Sequence, residues 1–175
     1  MIAPALLAIV ISAGAISEGK ETIDFRKIKS TTNFKLLLPD QTSVRNWDVE
    51  VKWPYPLKFD QPIRNLRLHY FDQRGEYVLG IEQHGVKGYT FKVECIEIDA
   101  RNHTSRSHIE TRFFEQSTAG EMIPIHGAKA YFEAWDSREP MPGGILHWIQ
   151  GDTYVEVNSG ELTKEQMVEI ARSMK

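Results

Sequence analysis

A single cysteine, Cys95, is all the thiol in this 175-residue sequence, so it has neither an intrachain disulfide nor a multi-cysteine zinc site. Blocks of like charge are also missing. The 21 basic residues face 24 acidic ones without a long run of either, and no nucleic-acid partner is expected. There is no Gly-rich phosphate loop, no GxSxG elbow and no HExxH pair. Phosphate cradling, the α/β-hydrolase nucleophile and zinc-peptidase chemistry therefore have no motif here, and no cofactor is expected.

Long apolar runs are absent too, with one exception at the start. No charge precedes Glu18, and residues 2–16 are almost wholly apolar, ending at the small-x-small triplet Ala13-Gly14-Ala15. Those 15 residues fall short of the roughly 20 that span a bilayer, and no basic residue precedes them. Three readings fit residues 1–17: a signal peptide, the tail of a membrane anchor, or a buried helix. Export or anchoring is the expectation. It gives an extracytoplasmic protein, secreted or held at the membrane, with membrane contact only through residues 2–16. Residues 18–33 read as a linker or short helix, and 34–175 as one α+β domain.

What is present is mostly strand pattern. "FKLLLPD" (34–40) is an apolar run stopped by Pro39, expected as an edge strand or extended segment. "WDVEVKW" (47–53) alternates apolar and polar residues, and "WPYP" ends it. "RNLRLHYF", "DQRG" and "EYVLGIEQ" read as a hairpin, and "YTFKVECIEI" (89–98) as a further strand. The polar stretch 99–108 is expected to be a loop, 109–116 a strand, and 122–135 two strands about a His126-Gly127 turn. The sum is a curved antiparallel sheet of about eight strands. At the C-terminal end Thr163 and Gln166 form a capping box, with Leu162 and Met167 as a staple. Met167, Ile170, Ala171 and Met174 make one apolar stripe of an amphipathic helix, expected to close a face of the sheet.

The richest stretch is "ILHWIQGDTYVEV" (145–157). If Gly151-Asp152 is a two-residue turn, Trp148 opposes Val155 and Leu146 opposes Val157 on an apolar face. Ile149 then opposes Tyr154, and His147 opposes Glu156, on a mixed face. An imidazole beside a carboxylate could act as a base. The plainer reading is a cross-strand ion pair on a solvated face, worth under roughly 1 kcal/mol. His147, Glu156, Tyr154 and Ile149 are thus candidate ligand- or partner-binding residues, with no catalytic residue assigned. Gly127, Trp148, Leu162, Thr163, Met167 and Ile170 are candidate structural residues. His103 and His108 lie beside Glu110 at a spacing that fits no common motif, and His69, His84 and His126 sit on separate segments, so no metal ligand is assigned. Cys95 alternates with apolar neighbours and is expected to be a buried small hydrophobe.

"NFKLLLPD", "IPIHGAKAYF" and "GGILHWIQGDTYVEVNSGELTKEQMVEIARSM", in that order, resemble an uncharacterised Firmicutes family of extracytoplasmic domains, often carried behind a membrane anchor or an anti-sigma segment. The resemblance covers about Phe34 to Met174 and is strongest at packing and turn positions. It implies the half-barrel fold of lipoprotein carriers and periplasmic sigma regulators. It also implies a non-enzymatic binding or regulatory role in a Gram-positive envelope or sporulation-linked system. The partner would be a protein or a small apolar envelope ligand. The alternatives are a carrier or sensor of a lipid-like ligand in the concave sheet face, and a hydrolase using His147 and Glu156.

Overall fold

The computed structural model describes residues 23–175. The segment 1–17 and the beginning of 18–33 lie outside the described residues. The remainder of 18–33 holds a short helix, α1 (Phe25–Thr31), whose first turn is capped by the Asp24 carboxylate accepting from the N–H groups of Arg26 and Lys27. A single turn, α2 (Gln41–Val44), follows. Among the described residues no helix is long and apolar enough to cross a membrane.

The described residues form nine strands, each paired antiparallel with its neighbours: β1 (Asp48–Trp53), β2 (Asn65–Phe71), β3 (Tyr77–Gly85), β4 (Thr90–Asp99), β5 (Thr104–Phe113), β6 (Glu121–Ile125), β7 (Ala128–Ala134), β8 (Gly144–Gln150) and β9 (Thr153–Ser159). They do not make one sheet of about eight. Seven build an open sheet in the order β1-β2-β3-β9-β8-β7-β6, and β4 with β5 stands apart as a two-stranded ribbon. The expected loop at 99–108 is in part strand, because β5 begins at Thr104 and pairs with β4 from Asp99↔Thr104 to Thr90↔Phe113. Period-two hydrophobicity reports burial of one face. Residues 104–108 are polar on both sides of the ribbon and give no such signal. The tip of the ribbon is set by the Asp99 carboxylate, which accepts from the N–H groups of Arg101 and Asn102, and by His103 at φ 51°.

Two short turns fix the register of the main sheet. His126 and Gly127 have φ values of 49° and 80°, the pair of positive angles a type I′ hairpin needs. Gly151 supplies the positive φ (62°) that opens the β8–β9 turn. The pairing there runs Gln150↔Thr153, Ile149↔Tyr154, Trp148↔Val155, His147↔Glu156 and Leu146↔Val157.

One face of the sheet is apolar. Leu66, Leu68, Leu79, Ile81, Leu146, Trp148, Val155 and Val157 are all buried on it. Against it lies the C-terminal helix α3 (Lys164–Ser173), whose Met167, Ile170 and Ala171 are buried together with Met174 just beyond. Thr163 caps α3 through its hydroxyl, and the Gln166 side chain reaches back to the Thr163 N–H at 2.9 Å. Leu162 is buried next to the cap.

The 34–40 segment is extended but belongs to no strand. Leu36 and Leu37 are buried in the core, and the exposed peptide edge this would create is met by Gln83. Gln83 is fully buried on the apolar face. Its Oε1 accepts from the Leu37 N–H at 2.9 Å and its Nε2 donates to the Leu37 carbonyl at 2.8 Å. Two residues before, Thr153 Oγ1 donates to the Lys35 carbonyl, and just after, Leu38 and Lys175 exchange both backbone hydrogen bonds. Replacing Gln83 by Leu would strand a buried N–H and a buried C=O at once. Each such group costs about 1–3 kcal/mol. Gln83→Leu is therefore expected to lower unfolding free energy by about 2–5 kcal/mol in urea titrations, against less than about 0.5 kcal/mol for the exposed Lys87→Gln.

Candidate functional site

The second face of the main sheet is polar, and its centre is a row of side chains one strand apart. Arg67 opposes Glu82 and Glu82 opposes Glu156. His147 opposes Glu156 and Tyr131 opposes His147. The sequence found the β8–β9 part of this row, with Ile149 and Tyr154 beside it. It missed the Glu82–Glu156 juxtaposition, because β3 and β9 are far apart in sequence and their pairing leaves no local sign.

The sequence also placed His147 on a solvated face, and here the structure differs. His147 is only 3% exposed. After β5 the chain returns across this face, laying Phe114 against the Tyr154 ring (4.6 Å between centroids) and Gln116 against His147 (Nε2 to Nδ1, 3.5 Å). The other ring nitrogen of His147, Nε2, is buried without a hydrogen-bond partner, 3.6 Å from Glu133 Oε1. Glu156 is engaged elsewhere, accepting from Tyr154 Oη at 2.9 Å. The two residues of the proposed dyad are thus opposite in register but turned to different partners.

Around this row the face is tied by aromatic packing. The His84 ring stacks on Tyr89 at 3.6 Å between centroids with an interplanar angle of 9°, and Phe114 meets its edge at 4.6 Å. Tyr89 Oη accepts from Asn65 Nδ2, which also donates to Glu82. Tyr89 and Phe114 are the two roots of the ribbon, and the Phe114 N–H donates to the Tyr89 carbonyl at 3.0 Å. The ribbon is therefore clamped to the sheet at its base. Towards the β1 edge the face opens into a groove of about 530 Å³ lined by Lys52, Trp53, Asn65, Arg67, His69 and Glu82.

Beyond its roots the ribbon is largely exposed. The side with Ile96, Ile98, Ile109 and Phe113 leaves these at 62, 76, 68 and 75% exposure. The other side carries Cys95 opposite His108, with Glu110 and Arg112 following on β5. Cys95 was expected to be buried. It is only half-buried, because its strand faces no core among the described residues.

Compared with protein-family models, curated proteins and solved structures, the chain matches none.

Burial holds the His84 imidazole below its ordinary 6.5, against the opposing pull of the Gly85 carbonyl, Glu82 and Glu156. His69 is lowered too, by burial first and then by Arg67 and Lys52. Above 6.5 these rings are neutral in both folded and unfolded chain. Below it the unfolded chain takes up protons before the folded one, so stability falls with falling pH until the folded rings protonate as well. The urea midpoint is expected to drop as the pH falls below about 6.5. His84→Phe, which keeps a flat ring against Tyr89, should make that drop shallower.

Proposed function

We propose that this chain is an extracytoplasmic binding domain that engages a protein partner through the β4–β5 ribbon. The partner adds an extended strand to a ribbon edge and covers the side bearing Ile96, Ile98, Ile109 and Phe113. The observation that carries this reading is the combination of those four apolar side chains on one side of a ribbon whose two outer edges have no strand partner among the described residues. Exposed apolar groups gain from being covered. Unpaired edge N–H and C=O groups gain from an added strand. A lipid surface would satisfy the first need and penalise the second, since hydrocarbon offers no hydrogen bonds. A protein strand satisfies both.

Two other readings have less to support them. A lipid-like carrier needs a vacant apolar face, and the apolar face of the sheet is packed by Ile28, Leu36, Leu37, Met167, Ile170 and Met174. A hydrolase using His147 and Glu156 needs the imidazole within reach of substrate, and His147 is buried behind Gln116. The half-barrel curvature implied by the resemblance, and the export or anchoring implied by residues 2–16, are kept as parts of the proposal.

The test is site-specific photo-crosslinking in the cells that make the protein, with the probe at Ile98, at Phe113, or at the exposed Lys129 on β7, three strands from β3 in the main sheet. Discrete protein adducts are expected from the two ribbon positions and not from Lys129. Purified adduct partner should then slow amide exchange along β4 or β5. Ile98→Asp with Ile109→Asp should abolish the Phe113 adduct while leaving the urea midpoint of the main sheet nearly unchanged. Lipid adducts, an adduct of two copies of this chain alone, or equal labelling from Lys129 would each overturn the reading.

A further inference from the structure

The side of the ribbon facing away from the four apolar residues has a different chemistry. Cys95 and His108 are directly opposed across β4 and β5, and Glu110 lies two residues along from His108, on the same side of the pleat. The pairing brings a thiol, an imidazole and a carboxylate, separated by up to 15 residues in sequence, to within 4.8 Å of one another at their ligating atoms. His108 Nε2 is 3.1 Å from Glu110 Oε1.

We propose that this is a binding site for a divalent transition metal of the zinc class, with Cys95 Sγ, a ring nitrogen of His108 and a Glu110 carboxylate oxygen as its three protein ligands. Zinc bonds sulfur, nitrogen and oxygen donors at roughly 2.0–2.3 Å, which puts tetrahedral donors about 3.3–3.8 Å apart. Side-chain rotations of about an ångström close the present spacing to that value, on a backbone whose register is already fixed by ten pairs. The donor set selects the metal. A thiolate with an imidazole favours zinc, cobalt or copper over magnesium and calcium, which take oxygen ligands. The thiol proton leaves to solvent as the metal binds. Three protein ligands leave a fourth position for water or for an atom from another molecule.

Arg112 sets the terms of binding. Its guanidinium donates to Glu110 Oε2 from Nη2 at 2.9 Å and from Nε at 3.2 Å, and Nη2 lies 3.6 Å from Cys95 Sγ. The arginine is thus a resident cation that the metal has to displace. Its removal should strengthen metal binding, whereas a purely structural cluster would lose an ion pair and gain nothing.

The site is independent of partner binding, and its test needs no partner. The full chain is titrated with Co²⁺ and followed by near-ultraviolet absorption, where a cobalt–thiolate bond gives a charge-transfer band. In parallel, alkylation of Cys95 is timed with and without Zn²⁺. The band is expected in the parent chain and absent in Cys95→Ser. His108→Ala and Glu110→Gln should weaken Co²⁺ binding by at least about tenfold, and Arg112→Ala should tighten it. Zn²⁺ should slow alkylation in the parent and not in His108→Ala. Absence of the band, affinity unchanged in His108→Ala, or weaker binding in Arg112→Ala would overturn the assignment.

Discussion

A side chain acting as a backbone holds this fold together. The Gln83 amide presents to Leu37 the donor and acceptor that a neighbouring strand would present, and it does so from inside the apolar face of the sheet. A buried glutamine is costly unless both ends are satisfied, and a buried extended segment is costly unless its peptide groups are satisfied. Each offsets the other. Because Leu37 is anchored there, Leu36 and Leu37 fill the core, Lys35 accepts from Thr153, and Leu38 exchanges hydrogen bonds with Lys175. The segment before the first strand and the residues after the last helix are thereby brought to one place above the sheet.

The two faces of the seven-stranded sheet are finished by different means. The apolar side is covered by α3, α1 and the 34–40 segment. Among the described residues the polar side is covered where the chain passes in and out of the ribbon, through the His84–Tyr89 stack and Phe114. Desolvation there does not come from a second layer of regular structure. It comes from aromatic rings and one glutamine: Tyr131, Tyr154 and Gln116 lie against the buried His147, and the Arg67–His69 end is left open. Acidic, basic and aromatic groups thus share one surface with graded access to water.

The local parts of this architecture were legible in the residues. The β8–β9 hairpin follows from alternation on either side of Gly151-Asp152, down to the partner of each residue. The α3 cap and stripe follow from Thr163, Gln166 and the three–four spacing of Met167, Ile170, Ala171 and Met174. What was not legible depends on distant pairing. Gln83 continues the parity of Leu79 and Ile81, so its inward direction could be read, but the segment it binds could not. Both ribbon strands were read, but β5 only from 109 onward, because Thr104–His108 is polar on both sides of the pleat, and nothing local announces that the pair stands apart from the main sheet. His147 was put in water because no local pattern announces that residues 114–116 cross above it. Cys95, His108 and Glu110 meet only through that same unannounced pairing.

The strand order also dictates how the protein comes together as it leaves a ribosome or a translocation channel. β3 sits beside β9 in the sheet, while β4 to β8 lie between them along the chain. The first three strands therefore emerge with the β3 edge bare, and it stays so until the β8–β9 hairpin follows. Unpaired β edges are what chaperones shield and aggregates recruit. In that interval the ribbon that grows from the end of β3 is the next strand-forming segment to appear, and it is tethered beside the bare edge. Its separation from the main sheet in the finished protein means that β9 must win the edge from a closer, earlier rival. Its hairpin partner β8, with β7 paired beyond, and the buried Val155 and Val157 give it the means to do so.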